Sequence, residues 1–240
     1  MTMHAHRYAI YLAPGEPFRT FGSQWLGRNA DSGAAAPMPP GFTAPPSEWV
    51  RAPAHYGLHA TLKPPFRLAE GTDCAQLDAA ARAFARGREA FDTPLALRSL
   101  RGFVAWCLAE ASPPMQALAD ASVVAFERFR APPAPAELAR RKPEQLSAAQ
   151  RRMLDAWGYP HVFETFVFHI TLTGMLEAAG EAAALARLSA DSGTLLETPL
   201  HVDGISVFVQ PQAGDDFVVG RHYAFDGRIS DGAGAAYLDA

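Results

Sequence analysis

The chain has 240 residues, 49% of them hydrophobic and 19% charged, with a formal net charge of −4 at pH 7. Such a composition buries a sizeable core and excludes a disordered chain, while the acidic balance argues against a general nucleic-acid binder, which must neutralise phosphates. Cys74 and Cys107 lack zinc-like spacing and make no disulfide framework, no apolar run reaches the ~18 residues of a membrane span, and no secretory signal is evident, so the expected location is cytoplasmic.

Residues 7–12 alternate and predict a strand with Tyr8, Ile10 and Leu12 on one face and Arg7, Ala9 and Tyr11 on the other, which can reach a cleft. Residues 13–55 hold eight prolines together with Trp25 and Trp49; they predict a connecting loop or a flap, with one short helix over 20–26. An Ala-rich helix follows near 75–90, a strand opens at Thr93-Pro94-Leu95, and Val104 to Leu108 read as another strand. Ser112 before Pro113 and Pro114 starts a helix near 113–129, whose stripe of Met115, Leu118, Ser122, Phe126 and Phe129 packs on a sheet. Prolines 132, 133 and 135 mark a joint at 131–143. A helix over 144–157, strands near 162–173, 200–209 and 217–225, and a helix near 177–190 complete the chain. Strands and helices without a βαβ rhythm predict an α+β fold with antiparallel sheets.

The chemistry lies in two strand-like segments, His59-Ala60-Thr61-Leu62 and His169-Ile170-Thr171-Leu172. With 8 His, 11 Thr and 22 Leu in the chain, chance predicts roughly 0.03 copies of His-x-Thr-Leu, so two copies point to a duplicated element. Strand alternation puts His59, Thr61 and Lys63 on one face, and His169, Thr171 and Thr173 on the matching one. Each copy is followed by a turn, an Ala-rich helix and a Thr-Pro-Leu strand entry (residues 93–95 and 198–200). The expectation is one bilobal domain over 1–240, with a first repeat at about 7–130 and a second at about 144–228. Two antiparallel sheets would face a central cleft, with helices outside. A His can both accept and donate a proton near neutrality, so a positioned pair divides a displacement at phosphorus between a base and an acid. Thr hydroxyls steady the nonbridging oxygens, and the scheme needs no metal or cofactor. His55 and His59, four apart, make half a metal site only on a helix, which Pro53 and Gly57 argue against. Neither a G-x-S-x-G elbow nor a P-loop is present.

The segments Arg7-Tyr8-Ala9, Tyr56 to Phe66 and Phe168 to Gly174 resemble the two-histidine (2H) phosphoesterase superfamily, and more narrowly its members encoded beside bacterial carbon–phosphorus lyase genes. The resemblance implies a pseudo-twofold bilobal α+β fold, His59 and His169 as the catalytic pair, and Thr61 and Thr171 on the phosphoryl group. It also implies a cyclic phosphodiesterase acting on a small cyclic sugar phosphate of phosphonate catabolism, such as 5-phosphoribosyl 1,2-cyclic phosphate. Lys63, Arg7, Tyr11 and Thr173 are the further candidates for phosphate binding, with the Arg140 to Lys142 cluster in support. The alternatives are RNA 2′,3′-cyclic phosphodiesterase or ligase-like end processing, which the charge disfavours, and a noncatalytic phosphate-ester binding module. The expected partner is a small molecule; neither a membrane nor RNA is expected.

Overall fold

Period-two alternation along the chain builds one large sheet. The computed structural model describes residues 4–239. In chain order the elements are β1 (Arg7–Leu12), α1 (Phe18–Leu26), α2 (Ser47–Tyr56), β2 (Ala60–Phe66), α3 (Cys74–Arg86), β3 (Phe91–Thr93), β4 (Leu95–Leu100), β5 (Phe103–Leu108) and α4 (Pro113–Ala125). They continue with α5 (Pro135–Arg140), α6 (Ala148–Trp157), β6 (His169–Thr171), α7 (Ala178–Asp191), β7 (Leu200–Val202), β8 (Gly204–Gln210), β9 (Val218–Ala224) and β10 (Ile229–Asp231). Eight strands form an antiparallel sheet in the order β10-β9-β8-β1-β2-β6-β5-β4. β3 and β7, which flank the two Thr-Pro-Leu entries, pair with each other, Thr93 opposite Leu200.

The fold is α+β, as the rhythm of elements predicted, but the two motif strands do not belong to separate sheets facing across a cleft. β2 and β6 are neighbours, paired antiparallel at Ala60 and Ile170. Alternation reveals which side chains share a face; it carries no information about which strands lie side by side. In this register Thr61 stands opposite His169, and His59 opposite Thr171.

One face of the sheet is closed by helices: α3 lies on β8 and β9, α4 on β2, and α7 on β4 and β5. Tyr8, Ile10, Leu12, Ala60, Leu62, Trp106, Ile170 and Leu172 are all buried in this core. α3 starts at Asp73, whose carboxylate accepts from the Gln76 amide, and it buries Cys74, Leu77, Ala81 and Ala85 along one stripe. Both cysteines are free and buried. No helix among the described residues is long and apolar enough to cross a membrane.

The Pro-rich segment 13–55 carries more structure than expected. Alongside α1 it forms α2, with Pro53 inside. A proline at that position leaves the carbonyl four residues back without its helical donor. That carbonyl, on Trp49, instead accepts from the amide of Gly174 at 2.6 Å. The buried Trp25 of α1 donates from Nε1 to the Leu172 carbonyl at 2.9 Å. Both helices are thereby fastened to the exit of the second motif. The strand expected over 162–173 shrinks to β6 alone, because the Thr165 hydroxyl accepts from the Val162 amide and donates to the Pro160 carbonyl. This folds 163–165 into a 3-10 turn.

Candidate active site

Each motif histidine is tethered in the same way. His59 Nδ1 lies 2.9 Å from the Gly57 carbonyl, and His169 Nδ1 lies 2.9 Å from the Val167 carbonyl, two residues upstream in both cases. A carbonyl only accepts, so Nδ1 carries the hydrogen and Nε2 is left with the lone pair. The Thr61 hydroxyl sits 3.2 Å from His59 Nε2. Both imidazoles and both threonines line one cleft of about 350 Å³, whose walls include Arg7, Tyr11, Pro53, Tyr56, Phe103, Arg141 and Tyr159.

The surroundings of the two rings differ. Tyr11 stacks on His59 with centroids 3.8 Å apart and planes 20° apart, whereas the nearest aromatic neighbour of His169, Phe103, is tilted at 5.6 Å. Burial pushes the His59 imidazole down to about 4, partly offset by the Gly57 carbonyl and reinforced by the nearby His169. Burial also lowers His169, less far. Both rings are therefore neutral at pH 7. Desolvation raises the buried Tyr11 phenol well above its ordinary value, so it stays protonated.

Arg7 and Tyr11 reach the cleft from β1, as alternation predicted. Arg7 donates from Nε to Gln210 at 2.7 Å and lies over the Phe217 ring. Lys63 does not reach it. Ile10 pairs with Lys63 while Tyr11 pairs with Thr61, a register shift that inserts a bulge after Thr61 and turns Lys63 to the helix side. There it is buried, with Nζ donating to the Val123 carbonyl at 3.0 Å and to Glu127 at 2.6 Å. The phosphate-binding role expected for Lys63 is corrected accordingly.

The second motif bends at the matching place. Leu172 and Thr173 both donate their amides to the Val104 carbonyl, two residues against one. Thr173 touches the cleft, but its hydroxyl accepts from the Val104 amide and donates to the Gly174 carbonyl. It is a clamp on the bulge, with no hydrogen to offer a ligand. His55 is on α2 and bonds Asp216 at 3.0 Å.

Tyr56, Phe103, Tyr159 and Met175 line the cleft without having stood out in the sequence. Only the position of Tyr56 next to the first motif hinted at it.

A protein of Laribacter hongkongensis (strain HLHK9), named ribose 1,5-bisphosphate phosphokinase PhnN, is 38% identical over 213 residues, which are 88% of this chain and 50% of that protein. One of the same name from Janthinobacterium sp. (strain Marseille) is 33% identical over 236 residues, 92% of this chain and 51% of that protein. The chain thus spans about half the length of the curated relatives it matches. A kinase adds a phosphoryl group and does not open a cyclic diester, so these names overturn the expected cyclic phosphodiesterase. The expectation overreached because a pair of imidazoles specifies proton transfer beside phosphate and leaves open which P–O bond changes. The model of the family described as "Protein of unknown function (DUF1045)" matches residues 61–218, well over half of the sequence, and the chain belongs to that family.

Proposed function

We propose that the cleft is the acid–base site of an enzyme acting on a phosphorylated ribose, in a step that moves protons to and from oxygens bound to phosphorus. The observation that carries this reading is the matched pair of tethers, which leaves each ring its Nε2 lone pair on the walls of one cleft, that of His59 beside the Thr61 hydroxyl. His59, neutral at pH 7, is the proton acceptor. His169 is the donor once the negative charge of a bound phosphate raises its affinity for a proton. Thr61 and Thr171 offer hydroxyls to the phosphate oxygens. The substrate class rests on the ribose bisphosphate in the relatives' names. Those names also fit the phosphonate-associated resemblance of the motifs.

The sequence contains no G-x-x-x-x-G-K-[ST] stretch to cradle a nucleotide. We therefore assign any ATP-dependent step to the half of the relatives that this chain does not match. The paired tethers, the paired bulges and the two Thr-Pro-Leu entries support an origin by duplication and kinship with the two-histidine superfamily.

The test is incubation of the chain with ribose 1,5-bisphosphate and ribose 5-phosphate, with and without ATP, followed by phosphorus NMR. Without ATP, water is expected to add to a phosphorus of ribose 1,5-bisphosphate as the P–O ester bond breaks, giving ribose 5-phosphate and inorganic phosphate, at a rate lowered about a hundredfold or more in His59→Ala and in His169→Ala. Undiminished turnover in both variants would overturn the histidine roles. Phosphorylation of ribose 1,5-bisphosphate by this chain with ATP would overturn the placement of the kinase step.

A further inference from the structure

Beside the histidine cleft lies a second cavity of about 210 Å³ lined by five arginines, Arg7, Arg67, Arg130, Arg140 and Arg141, and one carboxylate, Glu137. The protein as a whole carries a net charge of −4, so this concentration of guanidinium groups is a local feature. Two of the five are committed: Arg130 forks onto Glu127, and Arg67 lies between the Pro132 carbonyl and Glu137. The other three, Arg7, Arg140 and Arg141, have no carboxylate partner among the described residues. Arg7 uses only Nε, on Gln210, and Arg141 rests on the Tyr159 ring at 4.8 Å. Unpaired cations gathered in a concave site repel one another, and an anion that accepts from several of them removes that cost.

The two cavities share Arg7, Tyr56, Pro64, Pro65 and Arg141 as a common wall. Sequence explains the opening: β2 pairs with β6 only at Ala60 and Ile170, and Pro64 and Pro65 beyond it have no N–H to extend a ladder. The result is one trough with the imidazoles at one end and the guanidinium groups at the other.

We propose that this arginine basin is a second phosphate subsite, so that the trough takes a sugar carrying two phosphate groups, one at the histidines and one among Arg7, Arg140 and Arg141. The proposal rests on the reading of the cleft as a phosphorylated-ribose site and supplies what that reading lacks, a feature that tells a bisphosphate from a monophosphate. Arg7 and Arg141, on the shared wall, fix the orientation of the sugar between the two ends.

Calorimetry and histidine-ring NMR of the intact chain, titrated with inorganic phosphate, ribose 5-phosphate and ribose 1,5-bisphosphate, test it. The expected result is a single bisphosphate per chain, bound at least tenfold more tightly than inorganic phosphate or ribose 5-phosphate. In the double variant Arg140→Ser, Arg141→Ser that advantage shrinks at least tenfold, the bisphosphate losing more affinity than ribose 5-phosphate does. Arg140 and Arg141 are exposed and have no carboxylate partner among the described residues, and Arg141 gives up only its contact with the Tyr159 ring, so the variant should melt close to the wild type. A bisphosphate advantage retained in the variant would overturn the subsite. If the advantage disappears in the variant but neither histidine ring responds to any ligand in either protein, the basin stands as a phosphate site and the cleft reading fails.

Discussion

The two copies of the motif share a backbone device and differ in what surrounds it. Each ring is held by a carbonyl two residues upstream, and each Thr is followed by a bulge, with the residue two further on buried. At the first copy Tyr11 stacks on the imidazole and burial pushes its pKa down to about 4; at the second Phe103 stands off, and the ring is lowered less. The inward residue is a buried Lys in one copy and a buried Thr in the other. Repetition of a short sequence fixes where the functional atoms point, while the neighbours each copy acquires fix their protonation. Chemically identical groups thereby become unequal.

The inward positions give the largest expected effect. Lys63 is the interior charge under α4, and Glu127 is its carboxylate partner. Burial lowers the ammonium's pKa, and the hydrogen bond to Glu127 opposes that. Glu127→Ala should cost about 3–5 kcal/mol of unfolding free energy, because it strands a buried charge. The double variant Lys63→Met, Glu127→Gln should recover most of the loss. Thr173→Val, in the matching position, removes an acceptor for the Val104 amide and should cost about 1–3 kcal/mol by urea unfolding. Equal losses for Glu127→Ala and Thr173→Val would show that the Lys63 charge does not distinguish the two bulges.

A second contrast is read through pH. The folded-state value of His59, about 4, lies below its ordinary 6.5, so between those values the unfolded chain binds more protons. The stability due to this neutral ring is full above pH 6.5, falls as pH drops toward 4, and amounts to about 3 kcal/mol. His59→Gln keeps a donor for the Gly57 carbonyl and removes the titration. Its stability should therefore fall by about 3 kcal/mol less than wild type between pH 7 and pH 4, and His169→Gln should show a smaller difference of the same sign. Parallel pH dependences in wild type and His59→Gln would mean the imidazole is not held neutral by burial.

The elements on which these contrasts rest were unevenly legible in the sequence. Strict alternation over 7–12 revealed that Tyr11 and Arg7 share a face, and the motif repeat revealed the two imidazoles and two hydroxyls. The bulges are invisible in sequence, since one extra residue in a strand leaves no mark in a string of apolar and polar letters; alternation alone therefore puts Lys63 in the cleft. α2 was hidden by Pro53, because the donor that rescues the freed Trp49 carbonyl comes from Gly174, far along the chain. The adjacency of β2 and β6 is a property of pairing between distant segments, and local pattern does not encode it. Arg67, Arg130 and Arg141 are scattered through the sequence and meet only in the folded chain.

The smallest expected effect isolates the cause of the inequality itself. If the ring of Tyr11 keeps water from His59, then Tyr11→Ala, which opens that face, should raise the His59 pKa by about one unit or more, toward 6.5, and leave His169 nearly where it is, because Phe103 and the Val167 carbonyl are untouched. Histidine-ring NMR titrations of the two proteins read both values directly. The deletion of a buried ring from β1 also lowers stability by a few kcal/mol, but a pKa measured in the folded state is independent of that loss as long as the chain remains folded over the titration. An unmoved His59 would shift the cause from Tyr11 to the rest of its wall, Tyr56 and Phe208, which lie 6.2 Å from the His59 ring centroid. A rise shared equally by both histidines would show instead that their mutual repulsion, and not the cover of either ring, sets the difference between the two copies.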